Sequence, residues 1–224
     1  MSNSAEFFNP DDGEGDLIRR EVRAAYSGLA SEYVQATSSF EHYPGLRGEL
    51  EAFLCQVPSG VILDVGSGSG RDALLAAEMG RSVVRADASL EVLLEGGRLV
   101  SCCGSVCCDV TRLPFPDNSF AGLIASGVLL HLNDTDCRRA LREILRILIS
   151  NGLAVISMKA GEGQGWRTTP AFPSRRWFSY YSLDEFATMC RSAGLEIVAM
   201  SRSGRKDWFS LVVAKVRLAT AYRH

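Results

Sequence analysis

Apolar residues along this chain follow two alternating rhythms. Over residues 17–34, Leu17, Val22, Ala25, Leu29 and Tyr33 keep near one face at helical spacing, and 46–54 is a second helical stretch. At Pro58-Ser59-Gly60 the period changes. Val61, Ile62, Leu63 and Val65 form a near-continuous apolar run, as in a strand buried on both faces. The alternation then repeats: helix 72–79 stopped by Gly80, strand 82–86, helix 89–95 stopped by Gly96-Gly97, a strand ending over 106–109, and strand 120–125. Residues 135–149 form the clearest helix, with Leu141, Ile144, Leu145, Leu148 and Ile149 on one face. Asp134 is its expected N-cap and Asn151-Gly152 its stop. Strand 153–158 follows, then a less regular stretch over 159–181 rich in Gly, Arg, Pro and aromatics. A helix from Ser182 to Gly194 leads into strands 195–200 and 208–216, close enough to pair around Ser203-Gly204.

Strands alternating with helices predict an α/β fold: a doubly wound, mostly parallel seven-stranded sheet with an antiparallel C-terminal strand and helices on both faces. The length, 224 residues, suits one such domain, expected over 17–220. Residues 1–16 are polar and acidic and read as a mobile tail, 17–55 as a helical lid, and 159–181 as a substrate insertion. The charge is nearly balanced, 24 basic against 26 acidic residues, so no clustered basic face points to nucleic acid. No apolar run approaches the ~18 residues of a membrane helix. No secretory leader pattern is visible, and seven cysteines without one fit a reduced, cytoplasmic setting. The composition leaves the oligomeric state open.

The strongest constellation is Val61-Ile-Leu-Asp-Val-Gly66-Ser-Gly68-Ser-Gly70-Arg-Asp, a buried strand ending in a glycine turn that opens a helix. Such turns bring a ligand close to backbone N–H groups. A dinucleotide fingerprint needs G-x-G-x-x-G, but here the third glycine comes one residue early. A phosphate-cradling loop needs a terminal Gly-Lys-Ser/Thr, but Arg71-Asp72 follows Gly70. Asp87 ends the second strand about 20 residues on, where a carboxylate can accept both hydroxyls of a ribose. Arg71 is a cation in the first turn of a helix, where the macrodipole disfavours it. It therefore needs an anionic partner, either a ligand carboxylate or Asp72. Cys102-Cys103 and Cys107-Cys108 lack the spacing of zinc ligands and read as small buried hydrophobes, so no metal is expected.

Glycine turn, Asp87, the run Asp109…Leu113-Pro-Phe-Pro-Asp-Asn-Ser-Phe120 and the segment Phe120-Ala-Gly-Leu-Ile-Ala-Ser-Gly-Val-Leu-Leu-His131 together resemble class I (Rossmann-like) S-adenosylmethionine-dependent methyltransferases. The likeness is to the small-molecule, methyltransferase type 11-like group, and it spans most of the chain. It departs at Ala121, where the family often has Asp, and at Ile149-Ser-Asn-Gly152. The resemblance implies S-adenosyl-L-methionine as cofactor. Its contacts would be Asp64, Gly66, Ser67, Gly68, Gly70 and Arg71 at the methionyl end, Asp87 and Ala88 at the ribose, and Cys108, Asp109 and Val110 at the base. Ser126 would line the cofactor after the fourth strand. Tyr26-Ser-Gly-Leu-Ala-Ser-Glu-Tyr33 resembles the segment that lids the cofactor, with Tyr26 and Tyr33 on one helical face.

His131 is expected beside the transferred methyl, either as the base or as a residue packing its loop; Tyr180 and Tyr181 are further candidates for the base. Lys159, Arg176 and Trp177 are expected to contact a small-molecule substrate, anionic or aromatic. Methyl transfer to an O, N or C nucleophile is the leading reading. Two alternatives stay open: an enzyme of the same fold that cyclises or transfers another part of the cofactor, and a non-catalytic cofactor-binding regulatory subunit.

Overall fold

The structure, a computed structural model, describes residues 10–100, 104–169, 172–202, 204 and 206–216. Nine strands and seven α-helices are present among them. In chain order they are α1 (Pro10–Ser27), α2 (Ala30–Thr37), α3 (Leu46–Gln56), β1 (Ile62–Val65), α4 (Arg71–Glu78), β2 (Val83–Asp87), α5 (Leu90–Gly97) and β3 (Gly104–Cys107). Then follow β4 (Phe120–Ser126), a 3-10 turn (Leu129–His131), α6 (Asp134–Ile147), β5 (Leu148–Lys159), β6 (Gln164–Thr169), β7 (Phe172–Ser179), α7 (Leu183–Ser192), β8 (Glu196–Arg202) and β9 (Trp208–Ala214).

Seven strands form one sheet in the order β3-β2-β1-β4-β5-β9-β8, with β9 antiparallel to both its neighbours and the β3-to-β5 ladder parallel. The expected fold class is therefore observed. Strand order reverses between β1 and β4, and the crevice at their carboxyl ends is where such sheets bind ligands. Alternation within each strand divides the core between the two faces. Leu63 and Val65 of β1 join Leu141, Ile144 and Phe186 from α6 and α7, while Ile62 joins Leu50, Phe53 and Leu75 from α3 and α4. No described helix is long and apolar enough to cross a membrane.

Several expected boundaries change. Residues 10–16 are the first turns of α1 rather than tail, and 1–9 lie outside the described residues, as do Cys102 and Cys103. Gly15 aids the docking: a Cβ there would press on Asp136 Oδ2, so any other residue would have to displace that carboxylate for α1 to come this close to α6. The single helix expected over 17–34 is two, broken at Gly28-Leu29. Tyr26 and Tyr33 thus sit on different helices, yet their rings still meet edge to face at 4.9 Å across the bend. The α6 N-cap is Asn133, whose side chain accepts from Asp136 N–H at 2.9 Å, and Asp134 is the first helical residue. The 159–181 insertion is mostly an antiparallel hairpin, β6–β7, forming a second small sheet.

Candidate active site

The glycine turn leaves β1 buried. Gly66, Gly68 and Gly70 all have positive φ, at 61°, 53° and 80°. Gly66 also lies against Val128, which a Cβ would meet at 2.2 Å, and that contact joins the turn to the segment after β4. Gly70 serves packing: its missing Cβ leaves room for Val100 and for Arg85, which is wholly buried and donates to Gly68 O at 3.2 Å. A buried cation inside β2 was not anticipated. The signal was a charged residue within a strand that has a buried centre. Arg85 and Arg71 offset two buried carboxylates, Asp64 and Asp72. Burial and the nearby Asp72 still push the Asp64 pKa well above the ordinary carboxylate range. Asp64 Oδ2 and Ser67 Oγ are buried with no hydrogen-bond partner.

The ends of β1 to β4 open into a cavity of about 370 Å³. Asp87, Ala88, Cys108, Asp109, Val110, Gly66, Ser126, Tyr26 and Tyr33 all line it, whereas Asp64, Gly68 and Gly70 lie behind its wall. Asp87 fixes this rim, accepting from Gly68 N–H at 3.0 Å and Ser89 N–H at 2.9 Å. Asp109 accepts from Thr111 N–H and Thr111 Oγ1–H, both at 2.8 Å, and pairs with Arg19 Nε at 2.9 Å. Arg19, on the wall of this cavity, was not foreseen. It also bonds the buried Asp136, tying α1 down across the cleft. Cys107 is exposed and Cys108 half-buried, so the two are not the buried hydrophobes expected. Burial pushes the Cys108 thiol up to about 12, which keeps it protonated.

A second cavity of about 310 Å³ adjoins the first, and Tyr26, Tyr33, Gly66, Ser126, Gly127 and His131 line both. Ser67, Arg71, Lys159 and Arg176 line this second lobe, together with the unanticipated Tyr43, Phe172, Phe178 and Trp208. Arg71 donates from Nε to Asp72 Oδ1 at 2.8 Å and stacks on Tyr43 with its guanidinium carbon 4.2 Å from the ring centre. Asp72 is thus a partner, and Arg71 still faces the cavity.

Three expected residues point elsewhere. Tyr181 is buried in the main core and donates to Asp134 Oδ1 at 2.7 Å; Tyr180 stacks on the far side of Phe178, centroids 6.1 Å apart. Trp177 packs on Ile18 and Val22 of α1 and donates to Ser179 Oγ at 3.0 Å. Neither lobe is lined by any of them. Adjacent strand residues face opposite sides, so Arg176 and Phe178 take the cavity and Trp177 takes the helix.

His131 stands where the lobes meet. Its Nδ1 lies 2.7 Å from Trp177 O and its Nε2 2.8 Å from the Tyr26 hydroxyl. A carbonyl only accepts, so Nδ1 carries the proton and Nε2 accepts from Tyr26 O–H. Tyr26 Oη in turn accepts from Arg176 Nη1 at 3.0 Å. Burial pushes the His131 pKa down to about 4. Trp177 O pulls the other way, while Arg176 and Lys159 add to the depression.

This has a measurable sign. With the unfolded imidazole near 6.5, the unfolded chain binds more protons than the folded one between pH 6.5 and 4. His131 therefore removes stability as pH falls through that window. Between pH 7 and 5 the loss is roughly 2 kcal/mol. Urea denaturation of wild type and His131→Asn at both pH values should show that the variant lacks this increment; equal slopes would place the imidazole in a less buried setting.

Comparison with known proteins is consistent with this geometry. A family profile described as Methyltransferase domain matches residues 63–156. A demethylmenaquinone methyltransferase of Renibacterium salmoninarum is 36% identical over 101 residues, covering 45% of this chain and 42% of that protein. A mouse protein named as a tRNA methyltransferase 9B is 26% identical over 156 residues, covering 68% of this chain and 32% of that one. The chain thus spans about two fifths or less of the length of these curated relatives. Among solved structures, the Burkholderia thailandensis 1,6-didemethyltoxoflavin-N1-methyltransferase, bound to 1,6-didemethyltoxoflavin and S-adenosylhomocysteine, superposes with a TM-score of 0.72. It is 21% identical, covering 96% of this chain and 94% of that one, a likeness of fold. The profile lies on the strands that build the cleft, so residues 63–156 resemble a methyltransferase domain, and the chain as a whole has the class I, Rossmann-like methyltransferase fold.

Proposed function

We propose that this protein transfers a methyl group from S-adenosylmethionine to an O, N or C nucleophile of a small molecule. The observation that carries the reading is the two-lobed cleft with the Tyr26–His131 pair at its junction. The larger lobe fits an adenosine. Asp87 offers a carboxylate for the ribose hydroxyls, and Val92 and Val110 give apolar walls beside Asp109 for the base. At the methionyl end, Ser67 Oγ, on the wall of the second lobe and without a described partner, fits an ammonium group, with the Asp64 carboxylate behind that wall, and Arg71 supplies a cation for the carboxylate. When bound, S-adenosylmethionine would supply an electrophilic sulfonium methyl for in-line transfer to the nucleophile.

The chain's own residues do the rest. Tyr26, Tyr33 and α1 cover the junction and exclude water. Tyr26 Oη faces both lobes and can take a proton from the nucleophile while passing its own to His131 Nε2. Trp177 O holds the His131 ring in the tautomer that can receive it. A near-balanced overall charge supports a small-molecule acceptor over a nucleic acid, and the cysteine usage supports a cytoplasmic protein.

Product analysis tests the reading. Incubation with S-adenosylmethionine and a panel of hydroxylated and aminated aromatic acceptors should yield S-adenosylhomocysteine. Methylthioadenosine instead would mean that another part of the cofactor moves. Calorimetric binding with neither product across the panel would favour a regulatory subunit.

A further inference from the structure

Arg176 is 5% exposed, yet it forms no ion pair with any described carboxylate. Its Nη1 donates to Tyr26 Oη and its Nη2 to Thr169 Oγ1 at 2.9 Å, both neutral acceptors, and its buried Nε has no partner. Three rings surround the guanidinium carbon: Phe172 at 5.0 Å, Tyr26 at 5.3 Å and Phe178 at 5.4 Å. Such contacts offset only part of the cost of burying a charge. Lys159 also approaches this wall, its Nζ 5.8 Å from the Phe178 ring and 5.7 Å from Trp208, again without a described acidic partner. Among the described residues, Asp72 is the only carboxylate lining the second lobe, and it is bonded to Arg71. Two cations in an aromatic wall therefore lack a counter-charge among the described residues.

We propose that the acceptor is a planar organic anion, seated against Phe178 and Trp208 with Arg176 and Lys159 as its counter-charges, and that Arg176 sets this specificity. The inference rests on the methyltransferase reading and names the class of its substrate. Flat rings present π-faces to a flat ligand. A guanidinium already oriented by Tyr26 and Thr169 loses little freedom on meeting a carboxylate, phenolate or enolate oxygen. The same rings without cations would suit an ammonium ligand; Arg176 and Lys159 repel one. Besides burial, both cations add to the depressed basicity of His131 on the wall of this lobe.

Calorimetry on the full chain tests this with 2-hydroxybenzoate, its neutral isostere 2-hydroxybenzamide and the cationic 2-(aminomethyl)phenol, with and without saturating S-adenosylhomocysteine. The benzoate should bind about tenfold more tightly than the amide, as one charge-assisted contact warrants. Arg176→Gln should remove that preference while affinity for S-adenosylhomocysteine stays within about threefold. Lys159→Met should shift the preference the same way, and it serves alone if the Arg176 variant does not fold. Equal binding of benzoate and amide, tighter binding of the amine, a preference that survives both substitutions, or no detectable benzoate binding would each overturn the proposal. Loss of S-adenosylhomocysteine binding by the wild type would count instead against the methyltransferase reading.

Discussion

Replacing Tyr26 by Phe, or His131 by Asn, is expected to lower kcat by roughly 10²–10⁴-fold while affinity for S-adenosylhomocysteine barely moves. The Phe variant keeps the ring against Tyr33 and removes only the hydroxyl that links Arg176 to His131 Nε2. The Asn variant removes the group that receives the proton. Because the two act as one relay, the double variant should be little worse than either single one. Steady-state kinetics on the three variants, once an acceptor is in hand, distinguishes this from independent roles, which would multiply. A near-normal kcat in Tyr26→Phe would eliminate the relay and point to an acceptor that is already ionised when it binds.

Asp87→Ala should weaken S-adenosylhomocysteine binding by about 3 kcal/mol, a hundredfold or more, because a charged acceptor to two hydroxyls is lost. The same carboxylate orders Gly68 and Ser89 through their N–H groups, so the rim also loosens. Helix α5 should stay folded, since Ser89 Oγ still caps Val92 N–H. Asp87→Asn, which retains one neutral acceptor, should lie between. Calorimetry reads both affinities, and thermal denaturation reads whether the fold holds. Unchanged affinity in Asp87→Ala would remove this residue from the site.

The sheet and the rim of its cleft were legible because each rests on short-range pattern: buried apolar runs, a glycine turn, and acids at strand ends. What sequence concealed depends on contacts between distant segments. The break between α1 and α2 follows from a single glycine within otherwise continuous helical spacing, and Tyr26 and Tyr33 kept their proximity by a different geometry from the one expected. Arg19 carries no local sign that it will pair with Asp109 and Asp136 from across the cleft. The β6–β7 hairpin escaped because its exposure does not alternate cleanly: Arg176, Trp177, Phe178 and Ser179 are all buried, being covered by α1 on one side and the protein body on the other. Tyr180 and Tyr181, conspicuous as a pair, were drawn into the core and its margin by their position just past that ribbon.

That ribbon has an evolutionary consequence. Its backbone ladder is closed within the pair, joining neither edge of the seven-stranded sheet, and it supplies Phe172, Arg176 and Phe178 to the acceptor lobe alone. Under the proposed reading, the ribbon carries part of acceptor choice, beside Lys159 and Trp208 of the main sheet, while the strand ends hold the adenosine. On that reading, changes confined to the ribbon would retune the acceptor wall while the strand-end contacts of the adenosine stay in place.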